Sequence, residues 1–291
     1  MYRGLQSGVA ARAASDAAET RPIPISMDVE FAQVSDLGKI RQGNEDYLGH
    51  VLPATPEEVR ARGWLFALAD GVGGHEHGEV ASRTAIESLL AGFRESKPGE
   101  PHTALLTRLV QTANARVLDA GHAMRPGGAS MATTIVVCAL RYDRATVAHV
   151  GDSRCYLIRR GQPLLLTRDH TVAGDHLRLG LISADEAAES ENRHMLSRSL
   201  GSQLMANVEV SEHQVFVGDV LVLCSDGLHG SVRGSEMAAL TSHGGDLATA
   251  AQRLVDIANQ RDGSDNISLH LIRVRSVERV GMYRGRPYRL P

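Results

Sequence analysis

The sequence predicts an α+β fold in which β-sheets pack together and helices lie outside them. Three observations carry that prediction. The runs VEFAQV, GWLFALAD, MATTIVVCAL, ATVAHVGD, SRCYLI, DVLVLCSD and NISLHLIRV are short, apolar and rich in β-branched residues, so they read as strands, most of them buried. Several follow one another with only a few residues between, as at Tyr142-Asp143-Arg144 and Gly151-Asp152. Such breaks suit antiparallel hairpins, because a parallel crossover needs a dozen residues or more. The helical periodicity falls into separate blocks, as expected for helices layered on sheets.

Taken in order, residues 1–27 read as a flexible N-terminal extension, Ala-rich from Ala10 to Ala18 and with Pro22 and Pro24 around Ile23. A domain is expected over 28–275. Its first helical block runs from Glu79 to Phe93. The second runs from Thr103 to Met124, with Leu106, Leu109, Val110, Ala113 and Val117 at helical spacing, and the loop SKPGEP separates the two. Residues 170–204 are helix-like but polar. Gly180 splits them, and Ser183 with Glu186 makes a capping-box match. So few apolar residues predict a weakly anchored surface segment, either a plain helix pair or a lid over a site. Near the C-terminus Asp246 can N-cap a helix carrying Leu247, Ala250, Ala251, Leu254 and Ala258 on one face. Residues 276–291 read as a basic tail. From Arg273 onward the chain holds six arginines against one acid, Glu278, which suits a solvated or packed extension, or docking to an acidic partner.

Composition narrows the function. The chain has 291 residues, 43% hydrophobic and 22% charged, with a formal charge of −3. These are ordinary values for a globular protein, and no basic excess points to nucleic acid. No stretch approaches the roughly 18 apolar residues of a membrane helix, and no signal peptide is evident. Cys138, Cys155 and Cys224 sit singly in strand-like runs and read as reduced, buried thiols of a cytoplasmic protein.

One device repeats where the chemistry should sit. LFALAD ends at Asp70, before Gly71-Val72-Gly73-Gly74; VAHVGD ends at Asp152; VLVLCSD ends at Asp226; Asp265 precedes ISLHLI. Any one of these is ordinary turn chemistry. Four carboxylates gathered at strand ends would repel one another and are best tolerated around a cation. Oxygen ligands without a Cys or His cluster select Mg²⁺ or Mn²⁺. His75-Glu76-His77 reads instead as a solvated loop, since no third ligand accompanies it. In Arg41-Gln42-Gly43-Asn44-Glu45-Asp46 the paired acids could reach a metal-water cluster. The guanidinium fork suits a phosphate. Two metals, carboxylates and an arginine together suit in-line phosphoryl hydrolysis.

In this order RQGNED, LADGVGGHEHGEVAS, MATTIVV, VAHVGDSRCYL, LTRDHT, LCSDGL and DGSDNIS resemble the metal-dependent serine/threonine phosphatases of the protein phosphatase 2C type (PPM), in their compact bacterial form. The resemblance covers about Val29 to Arg275. It implies a four-layer α/β/β/α sandwich of two mainly antiparallel sheets flanked by helix pairs, with a metal site at one end. It also implies hydrolysis of phosphoserine and phosphothreonine on proteins by a metal-bridging hydroxide, reversing a serine/threonine kinase. The implied catalytic residues are Arg41, Asp46 and Asp70, Arg41 gripping the phosphate. The implied metal ligands are Glu45, Asp46, Asp70, Gly71, Asp152, Asp226 and Asp265. Asp70 bridges two Mn²⁺ or Mg²⁺ ions, the Gly71 carbonyl binds one, Asp226 and Asp265 complete the first, and Glu45 and Asp46 hold waters. Asp152 serves a weaker third ion. Residues 170–204 become the flap, and the implied partners are phosphorylated proteins, a kinase and its targets, met by a monomer.

Two departures qualify this. Animal members carry a proton-donating His where this chain has Val72, and Gly230 stands where some members offer another acid to the third ion. The competing reading is a catalytically silent, phosphatase-like binding module. Loss of a metal carboxylate would favour it, and every matching carboxylate is present.

Overall fold

The computed structural model describes residues 26–72, 77–124, 131–242, 245–283 and 286–289. The chain runs β1 (Asp28–Asp36), β2 (Asp46–Val51), α1 (Pro56–Ala61), β3 (Trp64–Asp70), α2 (Gly78–Arg94), α3 (His102–Met124), β4 (Ile135–Arg141), β5 (Arg144–Val150), β6 (Arg154–Arg159) and β7 (Gln162–Leu165). It continues with α4 (Val172–Arg178), α5 (Ala184–Glu189), β8 (Glu209–Gln214), β9 (Val220–Cys224), α6 (Asp226–His229), α7 (Gly234–Thr241), α8 (Leu247–Arg261), β10 (Ile267–Ser276), β11 (Val280–Tyr283) and β12 (Arg286–Arg289). The helices expected at 79–93 and 103–124 are α2 and α3, each begun one residue earlier.

Two five-stranded sheets form, in the orders β1-β10-β9-β6-β7 and β2-β3-β4-β5-β8. Every pairing within them is antiparallel. The strand runs are apolar on both faces because both faces are covered. Outward residues of the second sheet, such as Leu65, Ala67 and Val137, pack on Ala85, Ile86 and Leu89 of α2 and Leu106 and Val110 of α3. Phe66, Leu68, Val136 and Cys138 point the other way and meet Cys155, Leu221, Leu223 and Ile272 between the sheets. On the far side Val222, Leu269 and Leu271 pack on Leu254, Val255 and Ala258 of α8. The four-layer expectation is met. Each fully buried Leu, Ile or Phe in these layers contributes about 1.5–3 kcal/mol. Asp246 caps α8 as expected, accepting from the Thr249 amide at 2.8 Å.

Met27, placed by sequence in the N-terminal extension, is 1% exposed and packs between the sheets. Residues 1–25 lie outside the described residues. Arg273 and Arg275 of the basic stretch belong to β10 and both pair with Glu30, at 3.3 and 2.8 Å. Glu278 accepts from Arg60 at 2.9 Å, and β11 and β12 pair as a hairpin. The segment 170–204 carries α4 and α5, with the Ser183–Glu186 capping box formed. Ala173 is the one buried residue of α4.

Candidate active site

Strand direction gathers the acids. β3, β5 and β9 end, and β2 and β10 begin, at the same end of the sandwich. Asp46, first in β2, lies directly opposite Asp70, last in β3. Asp226 follows β9 and opens α6; Asp265 precedes β10; Asp152 sits in the turn between β5 and β6. A cavity of about 670 Å³ is lined by Arg41, Asp70, Gly71, Asp152, Asp226 and Asp265, with Val72 on its wall. Asp46 lies buried beside this group. Glu45 is held by backbone, its N–H donating to Asn266 Oδ1 at 2.8 Å and its C=O accepting from the Gly71 amide at 3.0 Å. Its carboxylate lies against the first turn of α2. A Cβ added at Gly78 would stand 2.9 Å from Glu45 Cδ, so glycine opens the room that Glu45 fills.

The electrostatics of this group call for a cation. Burial, then the charges of neighbouring aspartates, pushes the Asp46 carboxyl up to about 7, although hydroxyls of Ser268 and Ser225 work against the rise. Asp152 is likewise pushed up to about 7 by burial and by Asp226. Asp70 stands well above the carboxylate range for the same reasons, and Asp226 is raised. Burial also raises Glu45. Asp46 Oδ1 is buried without a hydrogen-bond partner, which is the condition of a ligand atom left for an ion or its water. The donor set is all oxygen, and hard divalent ions fit it. Arg41 reaches the cavity and donates to Asp265 Oδ2 at 2.8 Å. That bond, chiefly, raises the arginine further.

All seven expected ligands and Arg41 therefore come to one end of the molecule. In the loop His75-Glu76-His77 the first two residues lie outside the described residues. Val72 is apolar and supplies no proton. Gly230 lines an adjoining cavity of about 1000 Å³, which also holds Asp152, Asp226 and Asp265.

Several contributing residues escaped the sequence reading. The Asn266 amide donates to the carbonyls of Leu37 and Gly43, at 3.0 and 3.1 Å, besides accepting from Glu45, and so ties the Arg41–Asp46 loop to β10. Its signal was its place in DGSDNIS, a buried amide directly after a ligand. Thr134 Oγ1 accepts from the Asp70 amide at 3.1 Å. His229 donates to the Asp152 carbonyl at 3.0 Å, and burial, with Arg154 nearby, lowers its pKa to about 3, keeping it neutral. Ser225 donates to Asp46 Oδ2 at 2.9 Å.

A second cluster, His149, His170 and Glu209, has ligand atoms close enough together for an ion. Guanidinium groups already occupy it. Arg168 and Arg198 both donate to Glu209, and Arg198 stands 3.3 Å from His170 Nε2. A salt-bridged hub is the simpler description.

Residues 44–268 match the family model described as protein phosphatase 2C. The chain belongs to the protein phosphatase 2C family. It is 33% identical over 270 residues to the serine/threonine phosphatase stp of Listeria innocua, covering 89% of this chain and 99% of that one. Among solved structures, the Streptococcus agalactiae serine/threonine phosphatase superposes with a TM-score of 0.77 at 29% identity, covering 85% of this chain and all of that chain. The catalytic domain of the phosphatase PstP, solved with two manganese ions, superposes with a TM-score of 0.70 at 30% identity, over 86% of this chain and 99% of that one. The fold of this 2C-type phosphatase is thus that of the bacterial serine/threonine phosphatases it superposes on.

Proposed function

We propose that the chain hydrolyses phosphoserine and phosphothreonine on proteins with the help of Mn²⁺ or Mg²⁺. The observation that carries this reading is the convergence of Asp46, Asp70, Asp226 and Asp265 from two sheets into one repelling group in a chain of this family. Asp70, Asp226 and Asp265 would hold the first ion, with Asp70 and the Gly71 carbonyl reaching a second, and Glu45 and Asp46 would hold waters. When bound, such ions neutralise charge on the phosphoryl oxygens and ready water to attack.

The protein's own groups do the rest. Arg41 stands at the cavity wall with more N–H donors than its bond to Asp265 uses, and grips the phosphate oxygens. Asn266 and Thr134 hold the Glu45 and Asp70 backbones in place. His229 fixes the Asp152 turn, where Asp152 would serve a third, weaker ion. The segment 170–204 contributes His194 and Ser197–Ser199 to the cavity wall and acts as a flap over the substrate. The catalytic domain would comprise 28–275, with 1–27 and 276–291 as appendages.

The substrates would be a serine/threonine kinase and its targets, met by a monomer in the cytoplasm. Three buried free thiols support a reducing compartment. Among the described residues no helix is long and apolar enough to cross a membrane. A silent binding module is disfavoured because none of the carboxylates that would hold the ions is missing from the sequence.

The test is hydrolysis of a phosphothreonine peptide and of p-nitrophenyl phosphate by chelator-stripped protein. Activity should be absent until Mn²⁺ or Mg²⁺ is restored. Full activity after exhaustive chelation would refute the reading.

A further inference from the structure

Asp46 is held by the other sheet. It begins β2, whereas its side-chain partner Ser225 follows β9. Ser225 is fully buried, and its Oγ accepts the Ser268 amide at 3.0 Å while its hydroxyl donates to Asp46 Oδ2 at 2.9 Å. The alternative acceptor, the Ser268 carbonyl, lies at 3.5 Å. A hydroxyl has one proton to give, and this one is committed to Asp46. The Ser268 hydroxyl in turn bonds Ser35 Oγ at 2.8 Å, and Ser35 accepts from Asn44 Nδ2, also at 2.8 Å. Asn44 Oδ1 closes the circuit by accepting the Asp46 amide at 3.0 Å. Serines on adjacent strands, Ser35 opposite Ser268 and Ser225 beside Ser268, thus form a hydroxyl ladder. Ser225 bonds Oδ2 of Asp46, with the Ser268 hydroxyl also near enough to favour the charged carboxylate, and Oδ1 stays buried without a hydrogen-bond partner.

We infer that Ser225 is a positioning residue, which fixes the Asp46 carboxylate from across the sandwich so that Oδ1 alone faces the metal-water site. The inference rests on the proposed metal-dependent reaction and deepens it. A carboxylate that loses its outer partner turns about its Cβ–Cγ bond and presents either oxygen. The two sheets also lose a direct bond at the end where their ligands must meet. Outer partners of ligating groups typically change metal affinity or activity by about 10- to 100-fold.

The experiment is a Mn²⁺ titration of p-nitrophenyl phosphate hydrolysis, with calorimetric Mn²⁺ binding and thermal melting in chelator, for wild type, Ser225→Ala, Ser225→Cys and Ser225→Thr. The Mn²⁺ concentration for half-activity should rise by about tenfold or more in Ser225→Ala. It should rise in Ser225→Cys too, since a thiol is a weak donor of nearly the same shape. Ser225→Thr, which keeps the hydroxyl, should restore it. The cysteine variant carries the test if the alanine variant fails to fold. A variant that melts earlier in chelator yet keeps the wild-type half-activation and Mn²⁺ affinity would overturn the inference and leave Ser225 a packing residue. A wild type that needs no metal would overturn the underlying reaction and this inference with it.

Discussion

Asp152 and Asp169 line the same cavity, and their environments drive them in opposite directions. Burial and Asp226 push Asp152 up to about 7. Burial acts on Asp169 too, but the Arg154 guanidinium, bonded to it at 2.9 and 2.6 Å, outweighs that and holds it below the usual carboxylate range. Hydrogen bonding separates Asp46 from Asp219. Both are nearly inaccessible. Asp219 is satisfied by Arg159, as close as 2.7 Å, and by the Phe216 amide, whereas Asp46 keeps an oxygen without a partner. A buried carboxylate matched by a guanidinium is architecture. One surrounded by other carboxylates needs a cation from outside, and the two kinds stand side by side here.

The largest break in that comparison comes from neutralising the unmatched group. Asp70→Asn and Asp226→Asn should each lower turnover with saturating Mn²⁺ by about 10³-fold or more, since metal stabilisation of the transition state is worth several kcal/mol. Without metal the sign reverses. Burial, then the neighbouring aspartates, push the folded Asp46 carboxyl up to about 7 from an ordinary 3.8. A carboxyl raised on folding destabilises the fold above its folded value and has no effect below its unfolded one. In chelator, Asp46→Asn should therefore melt higher than wild type at pH 8, and the advantage should shrink as pH falls from 7 towards 4. Melting curves with chelator across that range check it, and an advantage independent of pH would contradict the charge assignment.

Much of this could be read from the chain because strand ends carry it. An apolar run that stops or starts beside an aspartate marks both the strand and the place where strands converge, so Asp70, Asp152, Asp226 and Asp265 were visible as a set. The paired acids Glu45 and Asp46 were visible by type, and the ordered motifs tied them to a family. Ser225 and Thr134 were not visible, and Asn266 showed only through its place in DGSDNIS. Their work is to make hydrogen bonds to backbone and side chains distant in sequence, and no local periodicity marks such a residue. Met27 was misplaced for a related reason. It follows a Pro-rich lead-in, yet the space between the sheets, which only the assembled sandwich creates, takes it in.

Arg41 offers a smaller and sharper break, because among the described residues it is the one guanidinium bonded within the unmatched group. Arg41→Ala should lower kcat/KM on a phosphopeptide by roughly 10- to 100-fold, the equivalent of one charge-assisted bond of about 1.5–3 kcal/mol. The bond to Asp265 has 39% and 36% of the two side chains exposed, and such a pair adds little to stability. The melting temperature should therefore stay close to wild type. An unchanged kcat/KM would make Arg41 a partner of Asp265 and nothing more.

The smallest expected effect belongs to Asp152, and it decides which side of the comparison that residue is on. If Asp152 were simply a turn residue, its carboxylate would be satisfied by backbone amides, and Asn would replace it well. Its backbone-amide bond is to its own residue, and the carbonyl of Asp152, not the carboxylate, receives His229. Gly230, beside it in the adjoining cavity, adds no ligand. A metal held there would have few protein oxygens and would exchange readily. Asp152→Asn should leave calorimetric binding of the two tighter ions intact, since Asp70, Asp226 and Asp265 remain. The Mn²⁺ concentration for half-activity should rise by less than about tenfold, or under about 1.4 kcal/mol. Measured beside wild type, an unchanged activation curve would move Asp152 to the architectural side with Asp169. Loss of the tighter ions would instead place it among their primary ligands.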